Sequence, residues 1–323
     1  MVNVRKEIGV DWLTVTGPEE CASDVVEALA ALSDRSLWVD LGQGGGYSHR
    51  AKLPTGVRLS LGRTDGSGRF MLDVNGAACA TLGAVAVHDL ARVAGMGGTF
   101  TRLDLRCDFR GDSVSLLDDV VRSCDADHFR SVKQWQRFPI KGEGGIVVGD
   151  GVILGSYGST RFVRVYDKGL QTETDLAGRW IRWEAQLRSI FAHQAALDVF
   201  CADLDDLPTT AAPHMYHVVD FRIGDRGRNQ NRLDRPAWWL SLLDGVSDAC
   251  VSREPRLVEF ERWAEALRDQ FGRAMVAASR RSGISVGQLS EWLLDGLEPT
   301  AGTLKNPVVS LASAAFDASR RPR

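Results

Sequence analysis

Three short segments of this 323-residue chain carry side chains that could act on a phosphodiester. In RFVRVYDK the alternation of a strand puts Phe162, Arg164, Tyr166 and Lys168 on one face, with Val163, Val165 and Asp167 on the other. In WIRWEAQLR the same period separates Ile181, Trp183, Ala185 and Leu187 from Arg182, Glu184, Gln186 and Arg188. In TRLDLRCDF, Arg102, Asp104, Arg106 and Asp108 share the polar side. If these strands are neighbours, Asp104, Asp108 and Glu184 converge with Tyr166 on one polar surface. Carboxylates so grouped suit a hard divalent cation, Mg²⁺ or Mn²⁺, which polarises phosphate oxygens. Tyr166 is then the nucleophile. A free phenol titrates near about 10, so Lys168 and Arg164 are candidates to stabilise the phenolate and Arg182 to clamp the phosphate. The alternative is a solvated sheet face of cross-strand ion pairs with no chemistry at all.

The elements around these segments follow from the same patterning. Val10 to Thr16 alternates as a strand, and Gly17-Pro18 opens a helix with Val25, Val26, Leu29 and Leu32 at helical spacing. VRLSLG and RFMLDVNG form a hairpin about Asp65-Gly66. Helices are expected from about Ala77 to Ala94 and from Ser115 to Cys124, with strands at Ile146 to Leu154, Phe162 to Tyr166 and Ile181 to Leu187 and a helix after them. Hairpins interleaved with helices, rather than strict strand-helix alternation, indicate an α+β fold with a largely antiparallel sheet. From Glu254 the pattern becomes helical, and Ser285 to Leu294 is a candidate second helix of a helix-turn-helix unit. The expected division is 1–205 as catalytic domain and 206–323 as a basic segment with a C-terminal helical region, ending in a disordered SRRPR tail.

These segments, in this order, resemble the replication initiation factor family, the trans-acting Rep proteins of rolling-circle plasmids and filamentous phages with related relaxases of integrative conjugative elements. The resemblance rests on an R-x-D-x-x-x-D strand (Arg102, Asp104, Asp108) and a glycine-serine turn (Gly155, Ser156, Ser159). It continues in an arginine-rich strand ending in Tyr-Asp-Lys (Arg161, Arg164, Tyr166, Asp167, Lys168) and a W-x-R-x-E strand (Trp180, Arg182, Glu184). A basic segment leading into Trp238 and Trp239 completes it. It implies a palm-like catalytic sheet related to nucleases whose metal is held by a His-hydrophobic-His motif. It also implies site-specific nicking and joining of single-stranded DNA through a 5′-phosphotyrosine on Tyr166, with a divalent metal at Asp104, Asp108 and Glu184. The partner implied is a replication or transfer origin, with a host helicase and a second copy of the chain as further candidates. A conjugative relaxase has the same chemistry, and in a non-catalytic DNA-binding copy-control protein Asp104 and Glu184 would only pair with Arg106 and Arg182. The turn departs from the family, which carries basic residues where this chain has Tyr157 and Gly158, and Tyr157 becomes a rival nucleophile.

The histidine motif itself is absent, and the closest pair, His214 and His217, reads as structural rather than as zinc ligands. Gly44 to Gly46 lacks the lysine of a phosphate loop. Six scattered cysteines without metal spacing read as reduced, packed thiols. No window reads as a membrane span and the N-terminus lacks the apolar core of a signal peptide, so the expected location is the cytoplasm and no membrane partner is expected. A net charge of −3 excludes generic coating of polyanions, but local cations remain available. Arg130, Lys133, Arg137 and Lys141 surround Trp135, and Arg222, Arg226, Arg228, Arg232 and Arg235 precede Trp238. Either group could follow a DNA backbone beside a stacking aromatic, or be a solvated loop. Arg161, Arg164, Arg182, Arg226 and Arg228 are the DNA-binding candidates.

Overall fold

A computed structural model of the protein describes residues 4–111, 115–224 and 233–244. In chain order the elements are β1 (Arg5–Pro18), α1 (Ala22–Leu32), β2 (Val39–Asp40), β3 (Tyr47–Lys52), β4 (Arg58–Arg63) and β5 (Arg69–Val74). There follow α2 (Gly76–Gly97), β6 (Thr99–Arg110), α3 (Leu116–Asp125), β7 (Phe129–Arg130), β8 (Trp135–Lys141), β9 (Val147–Leu154) and β10 (Arg161–Asp167). The remainder are α4 (Lys168–Gln171), β11 (Trp180–Arg188), α5 (Ser189–Cys201), α6 (Leu207–Tyr216), β12 (Asp220–Phe221) and α7 (Ala237–Leu243). Ten strands form one sheet in the order β2-β3-β4-β5-β1-β6-β11-β10-β9-β8, and every pairing in it is antiparallel. The α+β, antiparallel architecture expected from the patterning is therefore the one observed.

One face of this sheet is apolar and holds the core. Leu103, Leu105 and Cys107 of β6, Trp183 and Ala185 of β11, and Val163 and Val165 of β10 are fully buried there. Helices α2, α3, α5 and α6 pack against these strands, which is why α5 and α6 are rich in alanine where they approach the sheet: Ala192, Ala195, Ala196 and Ala211 have no exposure. Helix α2 is long and apolar enough to cross a membrane by length and composition, contrary to the sequence reading. Here it lies on β1 and against α1, with Val87, Leu90, Ala91 and Ala94 in the core.

The tryptophan pair proves to be part of this core. Trp239 is 1% exposed, 5.6 Å from the ring of Trp183 and 5.1 Å from Phe221, and its indole nitrogen donates to Asp220 Oδ1 at 3.0 Å. Arg222 and Arg235 hold the same carboxylate at 2.6 and 3.0 Å, so Asp220 ties the residue after β12 and the residues that open α7 together. Arg130 is likewise buried, donating to the carbonyls of Asp127, Phe129 and Gly224. Arg226, Arg228, Arg232 and the candidate helix-turn-helix lie outside the described residues. The chain divides into two compact units, Met1–Val251 and Ser252–Arg323, and the second is wholly outside them.

Candidate active site

The polar face of the same sheet is built by register. Pairing places Arg182 opposite Asp108, Glu184 opposite Arg106 and Gln186 opposite Asp104 across β11 and β6. Across β10 and β11, Arg164 faces Glu184 and Tyr166 faces Arg182. The three segments thus lie side by side as their alternation requires, and Tyr166, Glu184, Asp104, Asp108, Arg164 and Arg182 share one surface. Asp104, Asp108 and Glu184 are nevertheless buried, at 1%, 0% and 1% exposure. Charge at such depth demands partners, and arginines supply them.

Arg102 grips Asp104 with two bonds, Nε to Oδ1 at 2.9 Å and Nη2 to Oδ2 at 2.6 Å, and its guanidinium lies 3.8 Å from the Trp12 ring. Arg182 forks onto Asp108 through Nε and Nη2 at 2.7 and 2.9 Å, and Arg106 also donates to Asp108 Oδ2. Arg164 donates to Glu184 Oε1, while the Tyr166 hydroxyl donates to Glu184 Oε2 at 3.2 Å. The pairs differ from those the non-catalytic reading expected, since Arg106 and Arg182 serve Asp108 whereas Arg102 and Arg164 serve Asp104 and Glu184.

A fourth carboxylate, Asp11, went unread. It accepts from Arg182 Nη1 at 2.8 Å. Strict alternation along Val10 to Thr16 would send Asp11 to the core beside Leu13. In the structure Val10 pairs with Leu105 and Trp12 with Asp104, so Asp11 is an extra residue, a bulge that delivers Asp11 and Trp12 to the polar side together. The signal was present as two consecutive polar-face residues between apolar Val10 and Leu13. Two glycines make room: a Cβ at Gly9 would sit 3.1 Å from the Arg106 guanidinium, and one at Gly151 would sit 2.8 Å from the Tyr166 Cβ. Phe138 closes on Tyr166 edge-to-face at 6.0 Å.

Lys168 lies differently from expectation. Asp167 accepts from the Leu170 amide at 2.9 Å and caps α4, so the chain leaves the strand before Lys168, whose ammonium donates to Gln171 Oε1 at 2.7 Å. Burial, then the charge of Arg182, lowers its pKa. Arg161 stands at the far end of β10, its guanidinium 4.7 Å from the Phe191 ring.

Electrostatics separates the carboxylates. Burial pushes Asp104 up to about 6 against the hydrogen bonds of Arg102, and the charge of Glu184 adds to the rise. Burial also works on Asp108, but the bonds and charge of Arg182 with the charge of Arg106 outweigh it and hold that carboxyl below its usual range. The Tyr166 phenol is pushed well above its ordinary value by burial first and by Glu184 second. Among the described residues no three His, Cys, Asp or Glu side chains are grouped to hold a metal ion. All three carboxylates have both oxygens engaged, Asp104 by Arg102, Asp108 by Arg106 and Arg182, and Glu184 by Arg164 and Tyr166, so a metal at any of them would have to displace these donors or share their oxygens. Asp104 and Glu184 fit as a pair of hard donors, close enough for one to raise the other, with remaining ligands to come from water or phosphate.

The Asp104 shift predicts a pH effect on the metal-free protein. Between the unfolded value near 3.8 and about 6 the folded state holds a proton that the unfolded state releases, so this group's contribution to stability falls as pH rises through that window. Asp104→Asn cannot titrate. Relative to the variant, the parent loses roughly 1 kcal/mol between pH 5 and pH 7.5 in urea unfolding with chelator present. Parallel pH profiles would show that Asp104 ionises normally.

The sequence pattern of the replication initiation factor family matches residues 98–283, more than half of the chain and all three site segments. The chain belongs to the replication initiation factor family. Its fold agrees: the solved structure of a rolling-circle replication initiator protein from Geobacillus stearothermophilus superposes with a TM-score of 0.59 at 22% identity, covering 74% of this chain and 96% of that one. No curated protein sequence matches the chain. Asp11 lies outside the stretch that the replication initiation factor pattern covers, so the part of the site on β1 is supplied by the fold rather than by the matched segments.

Proposed function

We propose that this protein initiates rolling-circle replication by nicking one DNA strand at an origin and later rejoining it. The observation that carries the reading is a phenol hydrogen-bonded to a buried carboxylate on a face crowded with guanidinium groups. Tyr166 Oη attacks phosphorus, the bond from phosphorus to the 3′ oxygen breaks, and the products are a 5′-phosphotyrosine and a free 3′-hydroxyl. That hydroxyl primes synthesis, and because the phosphoester energy is kept in the adduct, the reverse attack rejoins the strand. Glu184 Oε2 is the acceptor in place for the phenolic proton. Arg182 is fixed by Asp11 and Asp108, and a phosphate would meet it only by sharing or displacing those carboxylates, while Arg164 lies one strand away on β10. A divalent ion held by Asp104 and Glu184 would offset charge on the non-bridging oxygens and cancel the field of Glu184 that keeps Tyr166 protonated. The setting is the cytoplasm, and DNA is the partner.

The arginine pairing of every carboxylate also favours a second reading, a DNA-binding protein without chemistry. Supercoiled origin DNA incubated with the protein and Mn²⁺ separates the two. The enzyme converts it to open circles and leaves protein on the 5′ end; the binder shifts it intact. Glu184→Gln is expected to slow nicking by two or more orders of magnitude, the scale for losing preorganised electrostatic stabilisation. Nicking that persists in EDTA at the full rate would remove the metal from the scheme.

A further inference from the structure

At the opposite end of β10 from Tyr166, three stretches meet: residues 131–136, 155–161 and 187–194. The Gly155 amide donates to the Gln134 carbonyl at 2.8 Å, the Arg188 amide to the Thr160 carbonyl at 2.7 Å, and Arg161 pairs with Leu187. None of the three contains an aspartate or glutamate, and together they bring Lys133, Arg161 and Arg188 to one place in a chain whose net charge is −3. Two large apolar side chains stand exposed there, Tyr157 at 50% and Ile190 at 56%.

Tyr157 is held, not loose. Its carbonyl accepts from Arg188 Nη1 at 2.7 Å, and its ring meets Phe162 edge-to-face at 5.3 Å. The turn beneath it is braced by the Gly158 amide on Ser156 Oγ at 3.1 Å and the Ser159 amide on the Ser156 carbonyl at 2.9 Å. A preset aromatic face beside a cation, on stretches that themselves carry no acidic residue, is what an unpaired nucleotide requires, since its base stacks on any π surface and its phosphate seeks a cation.

We propose that this end of the sheet binds an unpaired nucleobase of single-stranded DNA, with Tyr157 as the stacking platform and Arg188 beside the flanking phosphate. The proposal rests on the reading of the polar face as a DNA-processing site and deepens it. Phe162, which the Tyr157 ring touches, and Tyr166 are four residues apart on the same face of β10, roughly 13 Å at the rise of a strand, so the stacked base lies a few nucleotides from the phosphate under attack. Tyr157 is accordingly a binding residue, and its ring matters where its hydroxyl does not.

The test is fluorescence anisotropy with a labelled oligodeoxythymidylate about a dozen nucleotides long, in chelator so that no strand is cut. Tyr157→Ala should weaken binding about 5- to 100-fold with an unchanged salt slope, while Tyr157→Phe and Tyr157→Trp bind as the parent does. Arg188→Gln should lower the slope of log affinity against log salt by about 0.7. Parental affinity in Tyr157→Ala overturns the platform, as does equal loss in Tyr157→Phe, which would point to the hydroxyl. Failure of the parent to bind the oligonucleotide overturns it as well and directs attention to a protein partner. Nicking by the same variants, measured separately with Mn²⁺, reports on the chemistry: a protein that binds through Tyr157 but never nicks loses only the enzymatic reading.

Discussion

Tyr166→Phe is expected to abolish covalent attachment to origin DNA outright, because the one atom removed is the atom proposed to bond to phosphorus. Binding of the same DNA should stay within a few-fold of the parent. The substitution leaves the ring against Phe138 and takes away only the hydroxyl bond to Glu184, whose other oxygen keeps Arg164. Loss of that bond costs on the order of 1–3 kcal/mol of stability, which circular dichroism and thermal unfolding will register without loss of the fold. The measurement is a radiolabelled oligonucleotide run on a denaturing gel, where the adduct migrates with protein. An adduct that survives in Tyr166→Phe transfers the nucleophile elsewhere, and Tyr157, half-exposed in its turn, is the next hydroxyl to replace.

The second large effect concerns the scaffold of the site. Asp108→Ala should destabilise the protein by about 3–5 kcal/mol in urea unfolding, because it leaves the buried guanidinium of Arg182 with Asp11 alone and takes from Arg106 its one close carboxylate. The penalty belongs to the charge left behind more than to the pair that is lost. Replacing Asp108 and Arg182 together by apolar residues of similar volume should therefore recover much of the loss. If the double variant is as unstable as the sum of the singles, the two residues do not act as a unit, and the raised pKa of Arg182, which Asp108 and Asp11 sustain against burial, needs another cause.

Much of this site could be read from residue alternation. The faces of β6, β10 and β11 follow from period-2 patterning alone, and the matched register then brings Tyr166, Glu184 and Asp104 together as expected. Chain direction at the ends of strands was harder. Lys168 looked like the fourth residue of an alternating face until Asp167 capped a helix there. Asp11 was hidden because a bulge breaks the period on which the reading depended. Arginine partners were also unreadable: Arg106 could have faced Asp104, Asp108 or Glu184, and although Glu184 lies opposite it on β11, its guanidinium turns to Asp108 on its own strand and toward Glu7 and Asp11 of β1. Trp238, the stacking candidate beside arginines in the sequence, is partly buried against Phe221 and Trp239, and Trp239 is in turn enclosed by Trp183, Tyr216 and Phe221, contacts that span distant parts of the chain.

The strand order has a consequence for synthesis. β6, the middle strand of the polar face, is flanked by β1 from the start of the chain and β11 from far beyond it; Asp108 meets Arg182 across 74 residues and Asp11 meets it across 171. Contacts of such high order form late, after the ribosome has released β11 from its exit tunnel. A nascent or truncated chain that stops short of Trp180 carries Asp11, Asp104 and Asp108 without Arg182 or Glu184. Such a fragment holds half of a charge network, so translation itself withholds the assembled polar face until β11 has been made.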